Sequence, residues 1–337
     1  MKTSDLKSID DVAKAAGVSS ATVSRVINGS ANVGSKTRER VEAALRELNY
    51  RPNRSAQALA RRREPVLGVV LPTLADPFFM AMADGIERVC VALGARSVVS
   101  VSGLNAMAEQ EAVDTLVSHG CKAIVLHAKF MAEAQLVELA RKYPALVIIN
   151  RKVNTQEARC VWLDNEQGGA LMARQILSRG HRQVAFINSH YNIADAKERR
   201  KGIECELAQT GLLLCHYAEA EPTPEGGHGA TAELLETGIP FSALLAYNDN
   251  MVLGAIRALH DAGHSVPKAI SVVGFDDSYI ASASLPGITT LKYPIAEMAE
   301  MAAHLAFAQT GFAAAKTNAH SGCFQPIVIS RSSVAVA

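Results

Sequence analysis

From Pro65 to the end of the chain, short apolar runs alternate with stretches long enough to be helices. This alternation constrains the fold more than any other feature. The runs are Val66–Leu71, Ser97–Val101, Ala123–Leu126 and Leu146–Ile149, followed beyond Trp162 by Val184–Ile187, Ala243–Ala246 and Ser271–Phe275. Strands this rich in Val, Ile and Leu are buried on both faces, which means parallel sheets covered by helices. Two groups of runs predict two βαβ subdomains with a cleft between them. In open sheets of this kind a ligand sits beyond the carboxyl ends of the strands.

The residues that follow the runs are polar. Asp76, Phe78 and Phe79 come after the first, His127 (with Lys129) after the third, and Asn150 and Arg151 after the fourth. His190, then Asp195 and Arg199, follow Val184–Ile187; Asn248 follows Ala243–Ala246; Asp276 follows the last run. Carboxylates, amides, an imidazole and guanidinium groups delivered to one cleft suit a sugar. Planar groups bridge neighbouring hydroxyls, and an aromatic ring covers the sugar's C–H face. Phe78, Phe79 and Trp162 are the candidate faces. Each residue also has a plainer reading: Asp76 or Asp276 as a helix cap, Asn248-Asp249 as a turn, Trp162 as core, Phe79 as helix packing.

The first fifth of the chain differs in charge. Net charge is +1 overall, yet residues 1–63 hold 13 Lys/Arg against 6 Asp/Glu, while the remainder holds 21 against 27. A basic head on a mildly acidic body predicts binding to a polyanion. Ser8 and Asp11 form a capping-box pattern before Ile9, Val12, Ala13 and Ala16. Gly17 supplies a turn, and Ser19 caps a second helix from Ser20 to about Asn28 with Val23, Val26 and Ile27 inward. A third helix, Lys36 to about Asn49 after a Ser35 cap, carries Val41, Ala44, Leu45 and Leu48. Two short helices joined by a Gly turn describe a helix-turn-helix. Ser19 and the outer face of the second helix, with Ser20, Ala21, Thr22, Ser24, Arg25 and Asn28, suit a DNA major groove, where Arg25 can address guanine. Lys36 and Arg38 suit phosphates. A three-helix packing domain with an ordinary polar surface is the alternative.

Other classes are disfavoured. The six cysteines include no C-x-x-C pair, and no catalytic, zinc or phosphate-loop motif is present. No metal or cofactor and no enzymatic activity are expected. Gly226-Gly227-His228-Gly229 reads as a loop. The first residues lack a signal-peptide core, and no stretch reaches the roughly 18 apolar residues of a membrane span. A cytoplasmic protein is the expectation.

The segments DVAKAAGVSSATVSRVIN, TRERVEAALRELNYRPN and RSAQALA closely resemble the LacI/GalR family of repressors. Across the body, VVLPTLADPFF, IVLHAK, VIINR, RCVWLDN, AYNDNM, VVGFDD and TTLKYPI are similar to its galactose-responsive branch. The resemblance implies a helix-turn-helix head (1–52), a hinge helix and linker (53–64), and a core (65–337) of the periplasmic-binding-protein type. The core's first subdomain is expected at about 65–161 and 293–321, its second at about 162–292 and 322–337. It implies that Asn53, Gln57 and Leu59 meet DNA, Leu59 as a minor-groove wedge contributed by both copies of a homodimer. Family effector contacts fall on Asn150, Arg199, Asn248 and Asp276, with a looser match near Phe78. The implied activity is a repressor of double-stranded operator DNA, homodimeric or a higher assembly, released by a monosaccharide, D-galactose. A different hexose, a nucleoside or a nucleobase co-repressor are the alternatives. Ser20-Ala21 replaces the branch's Val-Ala pair, which points to a different operator preference, and Tyr191-Asn192 also departs from the branch.

Overall fold

The structure, a computed structural model, describes residues 8–27, 33–48, 65–312 and 321–337. The chain divides into two compact units, Met1–Glu64 and Pro65–Ala337.

In the first unit the helices are α1 (Ile9–Ala16), α2 (Ser20–Ile27) and α3 (Ser35–Glu47). Ser8 closes its capping box with Asp11, and Gly17 ends α1 at φ 62°, the left-handed conformation that glycine adopts without steric penalty. Ser19 Oγ accepts from Thr22 N at 3.2 Å and starts α2. Ser35 is not the cap of α3. Gly34 occupies the N-cap without a side-chain bond, and Ser35 is the first helical residue. Val12, Ala13, Ala16, Val23, Val26, Val41 and Ala44 form the buried core, with Ile9, Val18, Ile27, Leu45 and Leu48 packed around it.

The second unit begins with β1 (Val66–Leu71), α4 (Pro77–Leu93), β2 (Arg96–Val101), α5 (Ala106–Ser118), β3 (Ala123–His127), α6 (Glu133–Lys142), β4 (Leu146–Ile149) and β5 (Cys160–Leu163). Then come α7 (Asn165–Leu177), β6 (Val184–Ser189), α8 (Ala194–Gln209), β7 (His216–Ala220), α9 (Pro224–Glu236), β8 (Ala243–Ala246), α10 (Asp249–Asp261) and β9 (Ser271–Val273). It closes with α11 (Tyr279–Ala283), β10 (Thr290–Lys292), α12 (Ile295–Gln309), β11 (Gly322–Phe324) and β12 (Ile327–Ile329).

One parallel sheet has the order β11-β5-β4-β3-β1-β2 and the other β7-β6-β8-β9, while β10 and β12 form an antiparallel ribbon. The expected subdomain limits therefore shift. Trp162 and Leu163 on β5 and Gly322–Phe324 on β11 pair with each other and belong to the first sheet, not to the second subdomain. Conversely, Asp276 bridges Lys292 and Tyr293 N donates to Asp276 O, so the segment entering α12 is held by the second.

Gly226–Gly229 is helix, not loop, inside α9. Thr223 Oγ1 accepts from Gly226 N at 3.1 Å and Pro224 takes the first turn. Gly227 and Gly254 are there because α9 and α10 cross backbone to backbone. A Cβ on Gly227 would lie 2.1 Å from Met251 O, and one on Gly254 1.8 Å from Pro224 O. The partner glycine is far away in sequence, so the local pattern read as a breaker.

Candidate effector site

Eight strand ends, four from each sheet, open onto one cavity of about 760 Å³. Asp76, Phe78, Phe79, His127, Asn150, Arg199, Asn248 and Asp276, all singled out from the sequence, line it. Asp76 also caps α4, accepting from Phe78 N at 3.0 Å, and Asn248 caps α10, accepting from Met251 N at 3.0 Å. Capping and cavity lining coincide because a strand that ends at a helix N-terminus places the capping side chain at the sheet's carboxyl edge.

Arg199 is buried at the centre. Its Nε donates to Asn165 Oδ1 at 3.0 Å and one terminal nitrogen to Tyr247 O at 2.6 Å. The guanidinium lies 3.6 Å from the Phe275 ring centroid, and Asp276 Oδ1 is 3.9 Å away. Asp195 accepts from the Tyr247 hydroxyl at 2.8 Å. Burial pushes its pKa up, but Lys129 and Arg199 outweigh this and hold the carboxyl below its usual range. Asp276 goes the other way: burial holds its pKa well above the usual range, and Arg199 opposes this only in part.

His127 is 1% exposed and both ring nitrogens lack a hydrogen-bond partner. The centroids of Phe79 and Phe78 lie 5.0 and 6.2 Å from its own, edge to face. Burial pushes its pKa down to about 3, so the ring is neutral, with one donor and one acceptor unused.

Asp276 sits on a strained turn, with φ 111° at Asp276 and 53° at Asp277. The surroundings over-determine it. Asp249 Oδ2 accepts from Ser278 N at 2.8 Å, Asp249 Oδ1 from Thr290 Oγ1 at 2.6 Å, and Asp249 N donates to Phe275 O at 2.9 Å. Asp276 N donates to Leu291 O at 2.8 Å, and Arg331 donates to Asp277 Oδ1 at 2.6 Å.

Three residues expected in the cavity do not line it. Trp162 is on the wrong face of β5. Val161 and Leu163 join one apolar cluster, whereas Trp162 packs with Cys160 on another, as the two-residue period of a strand requires. Arg151, next to the lining residue Asn150, turns away and donates to Met131 O at 2.5 Å. His190 is exposed, with its ring centroid 4.2 Å from that of Tyr191.

Further residues line the cavity. Lys129, Asp195 and Tyr247 lie in the post-strand segments and were legible by position. Tyr293 was not, since it arrives from the crossover before α12 and donates to Asn150 Oδ1 at 2.8 Å. Tyr191 and Phe130 meet edge to face, 5.6 Å between centroids, one from each subdomain.

In the head, Ala21, Arg25 and Lys36 are exposed, and Ser20, Thr22, Ser24 and Arg38 are half-buried. Ser19 and Thr22 share a hydroxyl hydrogen bond of 2.9 Å, and Ser20 Oγ donates to Asp10. Asn28, Asn53, Gln57 and Leu59 lie outside the described residues. Among the described residues no helix is long and apolar enough to cross a membrane.

Two sequence families match. Residues 8–53 match the bacterial regulatory proteins of the lacI family, and residues 64–306 match the periplasmic binding proteins and sugar binding domain of the LacI family. The HTH-type transcriptional regulator GalR of Salmonella typhimurium is 38% identical over 331 residues, covering 98% of this chain and 96% of that protein. GalR of Escherichia coli is 39% identical over 305 residues, 90% of this chain and 89% of that one. Among solved structures, the lac repressor dimer bound to operator and the anti-inducer ONPF superposes with a TM-score of 0.82 at 28% identity, over 98% of this chain and 99% of that one.

Proposed function

The chain belongs to the LacI family of DNA-binding transcriptional regulators, and from that premise we propose that it is a repressor released from its operator by a hexose, D-galactose before others. The observation that carries the sugar reading is the convergence of carboxylate, amide, imidazole and guanidinium groups from the strand ends of both sheets on one cavity. These groups address several hydroxyls at once. Relatives named GalR and GalS, 38–39% identical, favour galactose.

Two heads in a homodimer would meet half-sites about 34–36 Å apart, with Arg25 towards base edges and Leu59 as the minor-groove wedge. The exposed apolar side chains of β2, Val98, Val99 and Val101, support self-association of the core. The sugar acts through its differential affinity for two arrangements of the subdomains. A full switch from 1:99 to 99:1 needs about 5.5 kcal/mol, or about 2.7 kcal/mol per site in a dimer. The cavity can supply this because its groups come from both subdomains, with Asn150 and Asp76 on one side and Arg199 and Asn250 on the other.

The test is fluorescence anisotropy of a pseudo-palindromic duplex, selected from a randomised pool by the full-length protein, at fixed salt. Titration with D-galactose should release the DNA, and glucose and hypoxanthine should not. Release by hypoxanthine, tightening by it, or indifference to all three would overturn the galactose reading.

A further inference from the structure

A carboxylate buried in a helix needs partners, and Glu109 of α5, 0% exposed, finds them in another segment. Its Oε1 accepts from Lys129 N at 2.8 Å and Phe130 N at 3.0 Å, and its Oε2 from Met131 N at 2.9 Å. Three successive N–H groups converging on one carboxylate form an anion-holding nest. The loop between β3 and α6 has no ladder to satisfy these groups. Ala128 N donates to Ile149 O and Ala132 N to Gln135 Oε1, and Glu109 takes the three between. Arg151 completes the arrangement, donating to Met131 O at 2.5 Å and opposing the charge of Glu109. Burial pushes the Glu109 pKa up, and the three N–H groups work against this.

The loop so held reaches across the cleft with two side chains. Lys129 Nζ lies 5.8 Å from the Phe79 ring centroid and 5.7 Å from that of Tyr247, one ring from each subdomain. Phe130 meets Tyr191 of the second subdomain at 5.6 Å. Lys129 and Phe130 both line the cavity, and Lys129 helps to keep the Asp195 carboxyl below its usual range. Glu109 itself does not line it. A side chain that stands outside the cavity but fixes two that line it acts through them. Resting on the hexose reading above, we propose that Glu109 is a positioning residue of the effector site: its carboxylate orders the 129–131 loop in advance, so that Lys129 and Phe130 stand in place before the sugar arrives. Without it the loop must be ordered at the moment of binding, and that entropy is subtracted from the affinity. Arg151, expected in the cavity from the sequence, serves the same loop instead.

Amide hydrogen exchange on the full-length wild type without sugar tests the clamp and needs no variant. The amides of Lys129, Phe130 and Met131 should exchange about 100-fold or more slowly than in an unfolded chain, as groups freed only by local opening do. Exchange at the unfolded rate would overturn the proposal. Glu109→Gln keeps one acceptor oxygen and turns an NH2 group towards the remaining backbone donors. Its affinity for D-galactose, by isothermal titration, should fall about tenfold, as for a lost hydrogen bond to a charged group. In this variant the three amides should exchange faster than in the wild type, and saturating galactose should slow them again, because the sugar then orders the loop. An unchanged affinity would overturn the positioning role. So would an affinity loss in which exchange quickens equally throughout β1, β3 and α5, the mark of a general loss of stability. A wild type whose 129–131 amides are protected but which does not bind galactose would sink the hexose reading, and with it this use of the loop, while the clamp itself would stand.

Discussion

The carboxylate of Asp249 accepts the backbone N–H of Ser278 at 2.8 Å and thereby pins the strained turn that presents Asp276 to the cavity. Asp249 is 1% exposed, and burial raises its pKa to about 7 against the hydrogen bonds of Thr290 and Ser278. Asp249→Asn keeps one acceptor oxygen for Ser278 N and turns the other position into a donor, so the charged acceptor is lost and the Thr290 hydroxyl must turn to accept. A lost hydrogen bond to a charged group corresponds to about 1.5 kcal/mol, or roughly tenfold. Calorimetry should show galactose affinity falling by about that factor, with operator affinity unchanged. An unchanged sugar affinity would mean that Leu291, Tyr293 and Arg331 hold the turn unaided.

Asp276→Asn removes a carboxylate whose backbone is fixed and whose side chain faces Arg199. The variant should bind operator DNA as the wild type does and ignore the sugar in an anisotropy titration. Loss of DNA binding would make Asp276 a structural residue.

His127 gives a pH signature. The unfolded chain takes up a proton near pH 6.5, the folded one only near 3. Its contribution to stability is thus complete above pH 6.5 and lost as pH falls towards 3, at about 1.4 kcal/mol per unit. Asp249 has the opposite sign: its contribution is present below 3.8 and lost as pH rises to about 7. The two oppose each other in the window between, so the wild-type profile hides both. The difference in urea stability between wild type and His127→Gln isolates the histidine, and it should shrink as pH drops from 6.5. A difference independent of pH would show that His127 is already satisfied or charged in the fold.

Gly254→Ala would place a Cβ 1.8 Å from Pro224 O and 2.7 Å from His228 N, both backbone atoms. The α9–α10 crossing must open, with a loss of about 4 kcal/mol or more, read as a large drop in the urea midpoint. Gly229→Ala in the same crossing helix meets nothing within 4 Å. It should raise stability by up to about 1 kcal/mol through helix propensity. Equal effects at the two positions would refute the close crossing.

Arg25 is exposed on α2. Arg25→Ala should weaken operator binding by about 1–3 kcal/mol and relax preference at one base pair per half-site. Uniform weakening across sequences, with the salt slope reduced by about one, would assign Arg25 to a phosphate instead.

What the sequence determined by itself is local. The two sheets follow from runs of Val, Ile and Leu that sit in the strands, and the head follows from its caps, with only Ser35 misplaced by one residue. Eight of the eleven expected effector residues reach the cavity because a position directly after a strand is set by the strand itself. Tertiary structure decided the rest. Trp162 faces away because the period of β5 is anchored by its neighbours β4 and β11, and β11 lies some 160 residues downstream. Gly227 in α9 makes sense only against the α10 backbone at Met251, and Gly254 only against the α9 backbone at Pro224. Tyr293 enters the site from a crossover, and the left-handed turn at Asp276 exists only because Asp249, Leu291 and Arg331 hold it. Strain, close approach and crossover are relations between distant segments, and burial charges for them only after the chain has folded.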